Sequence, residues 1–340
     1  MSPWTYTGYL MMPLLVISGY WLGGWWNFIT PALCFIIHPL LNLLAKERHS
    51  HEEEQHDKYP AFVYRLIAFL YVPVVIVLTV WALYNSSAID RLSFIGLALS
   101  VGIINGVIGF TLAHEFIHRH SKTEQAAGYL LLLCNCYMHY GIEHIRGHHV
   151  YACTSKDPHT ARTGESFYRF FPRAIKQTFL NAWEIEQKQK QRGNKTLLRR
   201  QNRMTIFLLL QFLLITAITI LAGWKALLFF LLQAFIAVFL LHIINYLQHY
   251  GLVRKQVKSD QFERMAAHHS WSSGNRLTSL NLFQLDNHAD HHINPAHSYE
   301  TLKPLQESPQ HPTGYSGMII LALIPPLWFR IIHKKIVFNH

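Results

Sequence analysis

Apolar residues in this chain come in long blocks. They run over 6–25, 27–45, 61–84, 92–113, 205–222 and 224–246, separated by short turns or by long polar loops. Each approaches the ~20 residues that a helix needs to cross ~30 Å of hydrocarbon. The pattern therefore predicts an all-α membrane protein with six transmembrane helices. Gly23-Gly24 separates the first two blocks. Pro13, Pro31 and Pro73 fall inside blocks, where neighbouring helices can satisfy the freed backbone groups. Trp4, Trp21, Trp25, Trp26 and Trp224 sit where interfacial belts are expected.

Two further apolar stretches are not expected to span. Gly128–Ile142 is too short and reads as a re-entrant or packed half-helix. Met318–Ile332 is interrupted by Pro325-Pro326, and a crossing there would carry Lys334 and Lys335 to the wrong side. It reads as an interfacial or capping segment. Met1-Ser2-Pro3-Trp4 has neither a basic start nor a small-residue cleavage site, so the first block is expected to be an uncleaved span. No internal repeat is evident, and residues 1–340 are expected to form a single integral-membrane domain.

Composition agrees with this. Of 340 residues, 51% are hydrophobic and only 14% charged, while the formal net charge is +11. Six spans place all but two of the 30 Lys and Arg residues on one side; the exceptions are Arg91 and Lys225. The positive-inside rule makes that side cytoplasmic, the expectation being a multi-pass protein of a bacterial inner membrane. A basic face on a membrane chain suits anionic lipid or an acidic protein better than nucleic acid, and no nucleic-acid partner is expected. The loop 46–58 mixes charges without apolar support and reads as a solvated linker. Residues 184–203 read as an exposed helix and hairpin. Cys34, Cys134, Cys136 and Cys153 form no CxxC pair and read as free thiols.

The expected cytoplasmic side also carries the chemistry. His114 and His118 stand at HxxxH spacing, His144, His148 and His149 at HxxxHH, and His288, His291 and His292 at HxxHH. On a helix, positions i, i+3 and i+4 share a face, so each cluster is expected to converge its imidazoles, with His144 paired to His148. His249, at the exit of the sixth block, is a ninth candidate. Eight or nine imidazoles suggest two metal ions with positions left open for chemistry. With no cysteine near the clusters, a thiolate site is set aside, and imidazole alone suits Zn, Cu, Fe and Ni. Glu115, Glu143 and Asp290 each adjoin a cluster and are expected to accept ring N–H bonds, which would fix the tautomers; Glu115 or Asp290 could instead be direct ligands. His242 shares a face with Asn245 and His249 and reads as a packed polar residue with a possible supporting role, as do His139, His268 and His269. His120, His159, His297, His311, His333 and His340 are expected to be solvated.

These motifs carry a family resemblance. HEFIHRH at 114–120, EHIRGHH at 143–149, NYLQHYGL at 245–252 and LDNHADHHINP at 285–295, followed by Tyr299, resemble the integral-membrane alkane 1-monooxygenases of the fatty-acid desaturase/hydroxylase group. Phe167–Arg173 and His269-Ser270-Trp271 fit the same pattern. The resemblance implies a non-haem di-iron site, two Fe held by His114, His118, His144, His148, His149, His249, His288, His291 and His292. It implies hydroxylation of the terminal methyl of an alkane with O2, using electrons from rubredoxin and its NADH-dependent reductase. Departures are Gln248 where the family usually has Glu, Asp286-Asn287 where it has Gln-Arg, and Arg119 where Lys is common. The related xylene monooxygenase hydroxylases share the motifs, so an alkylaromatic substrate stays open. So does a lipid desaturase or fatty-acyl hydroxylase, although HxxxH with Glu in second place favours hydroxylation. A His-rich metal transporter or sensor fits poorly, because the blocks hold no Asp or Glu deep inside.

Overall fold

The computed structural model describes residues 1–44, 59–192, 202–259 and 261–337. The 46–58 linker and most of the hairpin expected before 203 lie outside them. Among the described residues, four helical runs are long and apolar enough to cross a bilayer: Gly24–Asn42, Ala61–Ala88, Arg91–Ile117 and Arg203–His249. Residues 3–22 are helical too, as Pro3–Thr7 and Met11–Leu22 joined by a 3-10 turn. Gly23 and Gly24, at φ 73° and 52°, end this run; glycine adopts that left-handed region without a Cβ penalty.

The two blocks expected at 205–222 and 224–246 form one run of 47 residues, broken at Gly223 with φ 82°. The chain folds back there. Gln211, on the first arm, accepts the Met138 N–H. Gln233, on the second arm, donates to the Cys134 carbonyl at 3.0 Å. A straight helix would separate those two glutamines by ~33 Å, so residues only four apart could not meet both. Ile218, Ala226 and Phe230 pack together across the break.

Three turns meet at one end of the bundle. Tyr20 Oη donates to Asn85 Oδ1 at 3.1 Å, Gly24 N–H to Ser93 Oγ at 2.9 Å, and Lys225 Nζ to the Ser87 carbonyl at 3.2 Å. Trp21, Trp25, Trp26 and Trp224 are exposed at this end. Asp90 starts the helix Arg91–Ile117 from the same end by accepting the Leu92 and Ser93 N–H groups. This helix lies close against the second arm of the broken helix. A Cβ on Gly102 would come within 2.7 Å of Ile236 Cβ, and one on Gly106 within 3.2 Å of Ala237 Cα. The small-xxx-small spacing thus brings the two backbones together. Both helices run away from the turns and deliver His114 and His249 to the opposite end.

At that end the chain builds a cap of short elements. The stretch 128–142 is not one half-helix. Helix Lys122–Leu133 ends in a turn through Cys136, at φ 49°, before helix restarts at Tyr140. Helix Phe167–Arg192 follows, and Gln256–Lys258 pairs antiparallel with Gln261–Phe262. The stretch 318–332 divides into Tyr315–Ala322 and Pro325–Val337. The second of these covers the broken helix, Trp328 packing 5.2 Å from both Tyr246 and Tyr250.

Tyr6, in the first helical run, reaches the far end of the sequence. Its ring stacks on Phe283 at 5.4 Å, and its hydroxyl accepts from Gln284 Nε2 at 2.9 Å. Phe283 and Gln284 are both left-handed, at φ 48° and 56°, a costly conformation for side-chain-bearing residues that surrounding structure must impose. Tyr6→Phe keeps the stack and removes the acceptor, while Gln284 retains a 3.4 Å contact to the Glu300 carbonyl. The expected cost is about 1 kcal/mol, measured as a shift in the detergent unfolding midpoint.

Candidate metal centre

Helix Arg91–Ile117 carries His114 in its last turn, and His118 is its C-cap. The i, i+4 spacing brings their ring centroids to 4.9 Å. The next cluster behaves differently. His144–His148 is a π-helical turn, which takes an extra residue compared with an α turn. His144 therefore meets His149, Nε2 to Nε2 at 3.0 Å, and His148 is turned elsewhere. The expected His144–His148 pairing is corrected by that single inserted residue. In the short helix His288–Ile293, His288 and His292 stand one turn apart with Nε2 atoms 3.0 Å apart. His291 points instead to His149, at 3.1 Å.

The nine histidines thus fall into two groups. His114, His118, His144, His149 and His291 form one, and His148, His249, His288 and His292 the other; within each, one ring nitrogen per residue lies within 4.8 Å of all the rest. The groups abut, with the His149 and His292 rings 4.5 Å apart. His118–His144 and His249–His288 add Nε2 contacts of 3.0 and 3.2 Å.

These distances fit metal ligation. Two nitrogens bound at ~2.1 Å and about right angles to one another lie ~3.0 Å apart. Neither ring nitrogen of His114 has a hydrogen-bond partner, and His148 Nε2, also buried, has none. Burial holds the His118 ring down to about 3. Burial, reinforced by neighbouring rings, also lowers His144, His149, His288, His291 and His292. The rings are therefore neutral, with lone pairs free to bind a cation.

The carboxylates are not where adjacency placed them. Glu115 pairs with Arg119 and accepts the Tyr299 N–H. Asp290 accepts from Asn294 Nδ2 and the Lys303 N–H, at 2.8 and 2.9 Å. Glu143 holds His159 at 2.8 Å. Burial alone would lower His159; the Glu143 carboxylate, with Asp157 behind it, outweighs this and raises the ring. The carboxylate that reaches a clustered ring is Asp157, 3.0 Å from His148 Nδ1. Burial pushes Asp157 up, but His148 beside it brings it below the usual carboxylate range. Nothing in the spacing marks Asp157, because it arrives on a turn rather than on a periodic element.

His159 and His311, expected in solvent, are both buried. His311 stacks on Trp271 at 5.2 Å. His242 bonds Tyr137 Oη at 2.6 Å and stacks on His159, whose Nδ1 takes Asn245 Nδ2. Cys153 is near the site after all, its Sγ 3.4 Å from His249 Nδ1 and 2.9 Å from the His269 carbonyl to which the thiol donates. It stays outside both nitrogen groups. Glu263, His268 and His269 also gather. His269 Nδ1, however, accepts the Ala266 N–H at 3.0 Å, and its Nε2 faces Glu263. Its lone pair is already used.

A narrow cavity reaches both groups; its walls include His114 and His288 together with Gly106, Phe110, Leu241 and Leu285. A second lies further from the nine histidines and is lined chiefly by apolar residues, among them Met12, Ile103, Val107, Leu240 and Ile319.

Comparison with known proteins gives the family. The family model described as fatty acid desaturase matches residues 91–322. Alkane 1-monooxygenase 1 of Pseudomonas aeruginosa is 38% identical, over 98% of this chain and 90% of its own length. Alkane 1-monooxygenase 2 of Alcanivorax borkumensis is 35% identical, over 96% and 88%. The xylene/toluene monooxygenase hydroxylase component of Pseudomonas putida is 27% identical, over 96% and 87%. An all-histidine double cluster at the end of an apolar helical bundle, with this similarity along nearly the whole chain, places the protein in the fatty acid desaturase family, among the alkane 1-monooxygenases.

Proposed function

We propose that the nine histidines hold two iron ions and that the protein hydroxylates the terminal methyl of a medium- or long-chain alkane. The observation that carries this is the convergence of nine ring nitrogens, in groups of five and four, on an apolar cavity. The reaction is an oxidation, R–CH3 + O2 + 2 e⁻ + 2 H⁺ → R–CH2OH + H2O. Zinc has no redox chemistry, so a redox-active metal suited to imidazole is required. Bound iron supplies electron transfer to dioxygen. The protein's own share is position and dryness. Phe110, Leu241 and Leu285 exclude water around the methyl group, while His114 and His288 bring both metal groups to the same wall. Asp157 fixes the His148 tautomer by taking its Nδ1–H, leaving Nε2 for metal.

We read the chain as crossing the bacterial inner membrane six times, residues 3–22 and both arms of the broken helix included, with the metal end cytoplasmic. The Lys and Arg distribution supports that orientation. A basic face of this kind suits an acidic one-electron carrier of rubredoxin type, reduced by an NADH-dependent reductase. The relatives at 30–38% identity are all named alkane 1-monooxygenases, which favours alkanes over alkylaromatics.

The test is a product assay under labelled dioxygen. Membranes containing the protein receive rubredoxin, its reductase, NADH and a mixture of octane, hexadecane and p-xylene. A labelled primary alcohol from an alkane is expected; labelled methylbenzyl alcohol alone, or no labelled product from iron-loaded protein, overturns the assignment. Asp157→Asn is expected to weaken metal retention ~10–100-fold, read as iron per chain after dialysis against graded chelator.

A further inference from the structure

The two cavities share two wall residues among those described, Ile244 and Leu282. Everything else differs. The inner walls continue to His114 and His288, and the outer walls to Tyr9, Cys34 and Ile319. A chain occupying both spaces at once would run past these two side chains. Ile244 lies one helical turn before Gln248 on the broken helix, partly open to the cavities. β-Branching restricts its χ1, so it does not swing aside readily. Leu282, the other shared wall residue, is buried at the end of helix Arg276–Asn281. The left-handed pair Phe283 and Gln284 follows at once, tied to Tyr6. Neither flank is free to recede.

We propose that Ile244 and Leu282 form a neck that selects unbranched alkyl chains, the reacting end seated in the inner cavity and the remainder in the outer one. This rests on the alkane reading above and adds what sets specificity within it. Between two aliphatic side chains a zigzag methylene chain passes lengthwise, whereas a quaternary carbon presents a wider cross-section at every rotation. Specificity for linear substrates is then a property of two residues remote from the metal groups, with no polar recognition of the substrate.

The test uses binding and turnover separately. Purified full-length protein, under argon and without reductant, is equilibrated with equal amounts of hexadecane and heptamethylnonane. The two share one formula, so hydrophobicity does not distinguish them. Bound hydrocarbon is extracted and measured by gas chromatography. Wild type is expected to retain hexadecane in excess. Ile244→Ala and Leu282→Ala are each expected to reduce that preference about tenfold, the order of discrimination that small changes in an apolar pocket produce. Ile244→Val, which removes a single methylene and endangers folding least, should fall between. A wild type without preference, or alanine variants within twofold of wild type, overturns the neck. The alkane reading is judged independently by turnover. Linear preference in binding with no labelled alcohol would remove that reading and leave the neck standing; labelled alcohol with an unmoved binding ratio would do the reverse.

Discussion

Membranes carrying His291→Ala will yield no labelled alcohol from any alkane, although the protein remains in the membrane at wild-type amounts. His291 is buried, and its Nε2 lies 3.1 Å from that of His149. It therefore joins the cap helix His288–Ile293 to the group contributed by His114, His118, His144 and His149. Removing it takes one of five ring nitrogens and the link between two elements that are far apart in sequence. Loss of even an outer partner of a metal ligand typically costs 10–100-fold, so loss of a ligand should exceed ~100-fold in rate. Insertion depends on the apolar helices, and His291 lies in the short cap helix rather than in one of them. Iron per chain should fall in the same preparation. His297→Ala, an exposed ring outside both groups, should leave activity and iron content unchanged. Retained activity in His291→Ala would sink the assignment of the five-histidine group as a metal site.

Much of this arrangement is legible in the sequence, for definable reasons. Apolar blocks report burial in lipid or protein regardless of what they pack against, so the runs Ala61–Ala88 and Arg91–Ile117 stand where the blocks do. His114 and His118 read correctly because an α turn carries them. The His288 cluster reads only in part. Its i, i+4 members share a group, while His291, one position before His292, supplies the other. Adjacent side chains on a helix point ~100° apart, and two metal groups on either side of one helix make use of that divergence.

What the sequence conceals is long-range or irregular. Glu115, Glu143 and Asp290 adjoin histidines but turn to Arg119, His159 and Asn294. Asp157, nine positions after His148, is brought in by a turn. The Gln284–Tyr6 bond spans 278 positions, and no local pattern announces it. The helix break at Gly223 is visible as glycine, but its reversal depends on Gln211 and Gln233 meeting one distant turn. The π turn at His144–His148 is the most consequential of these. It converts an apparent i, i+4 pair into an i, i+5 pair and sends His148 to the second group. Propensity alone does not signal it, since the turn is stabilised by where its side chains end up.

That turn gives the second large expected effect. Gly147→Ala should strip metal from both groups and lower stability together. A Cβ at this position would lie 2.5 Å from Glu143 Oε1 and 3.0 Å from its Cδ. A free carboxylate would move aside, but Glu143 is fully buried and its other oxygen is held by His159 at 2.8 Å. Accommodating the methyl means either parting that pair or shifting the backbone of the turn. Separating a buried ion pair costs about 3–5 kcal/mol, and overpacking about 1–3 kcal/mol; the protein is expected to take the less costly course and deform the turn. His144 and His149 belong to one group and His148 to the other, so a deformed turn misplaces ligands of both. Iron content should therefore fall to less than one ion per chain, where a defect confined to one group would leave one. Glu143→Gln tests the same logic from the opposite side. It keeps the shape, weakens the hold on His159, and should make Gly147→Ala less damaging in the double variant than the two single effects combined. Additive losses, or a Gly147→Ala variant that retains both ions, would show that the turn has room the structure does not suggest.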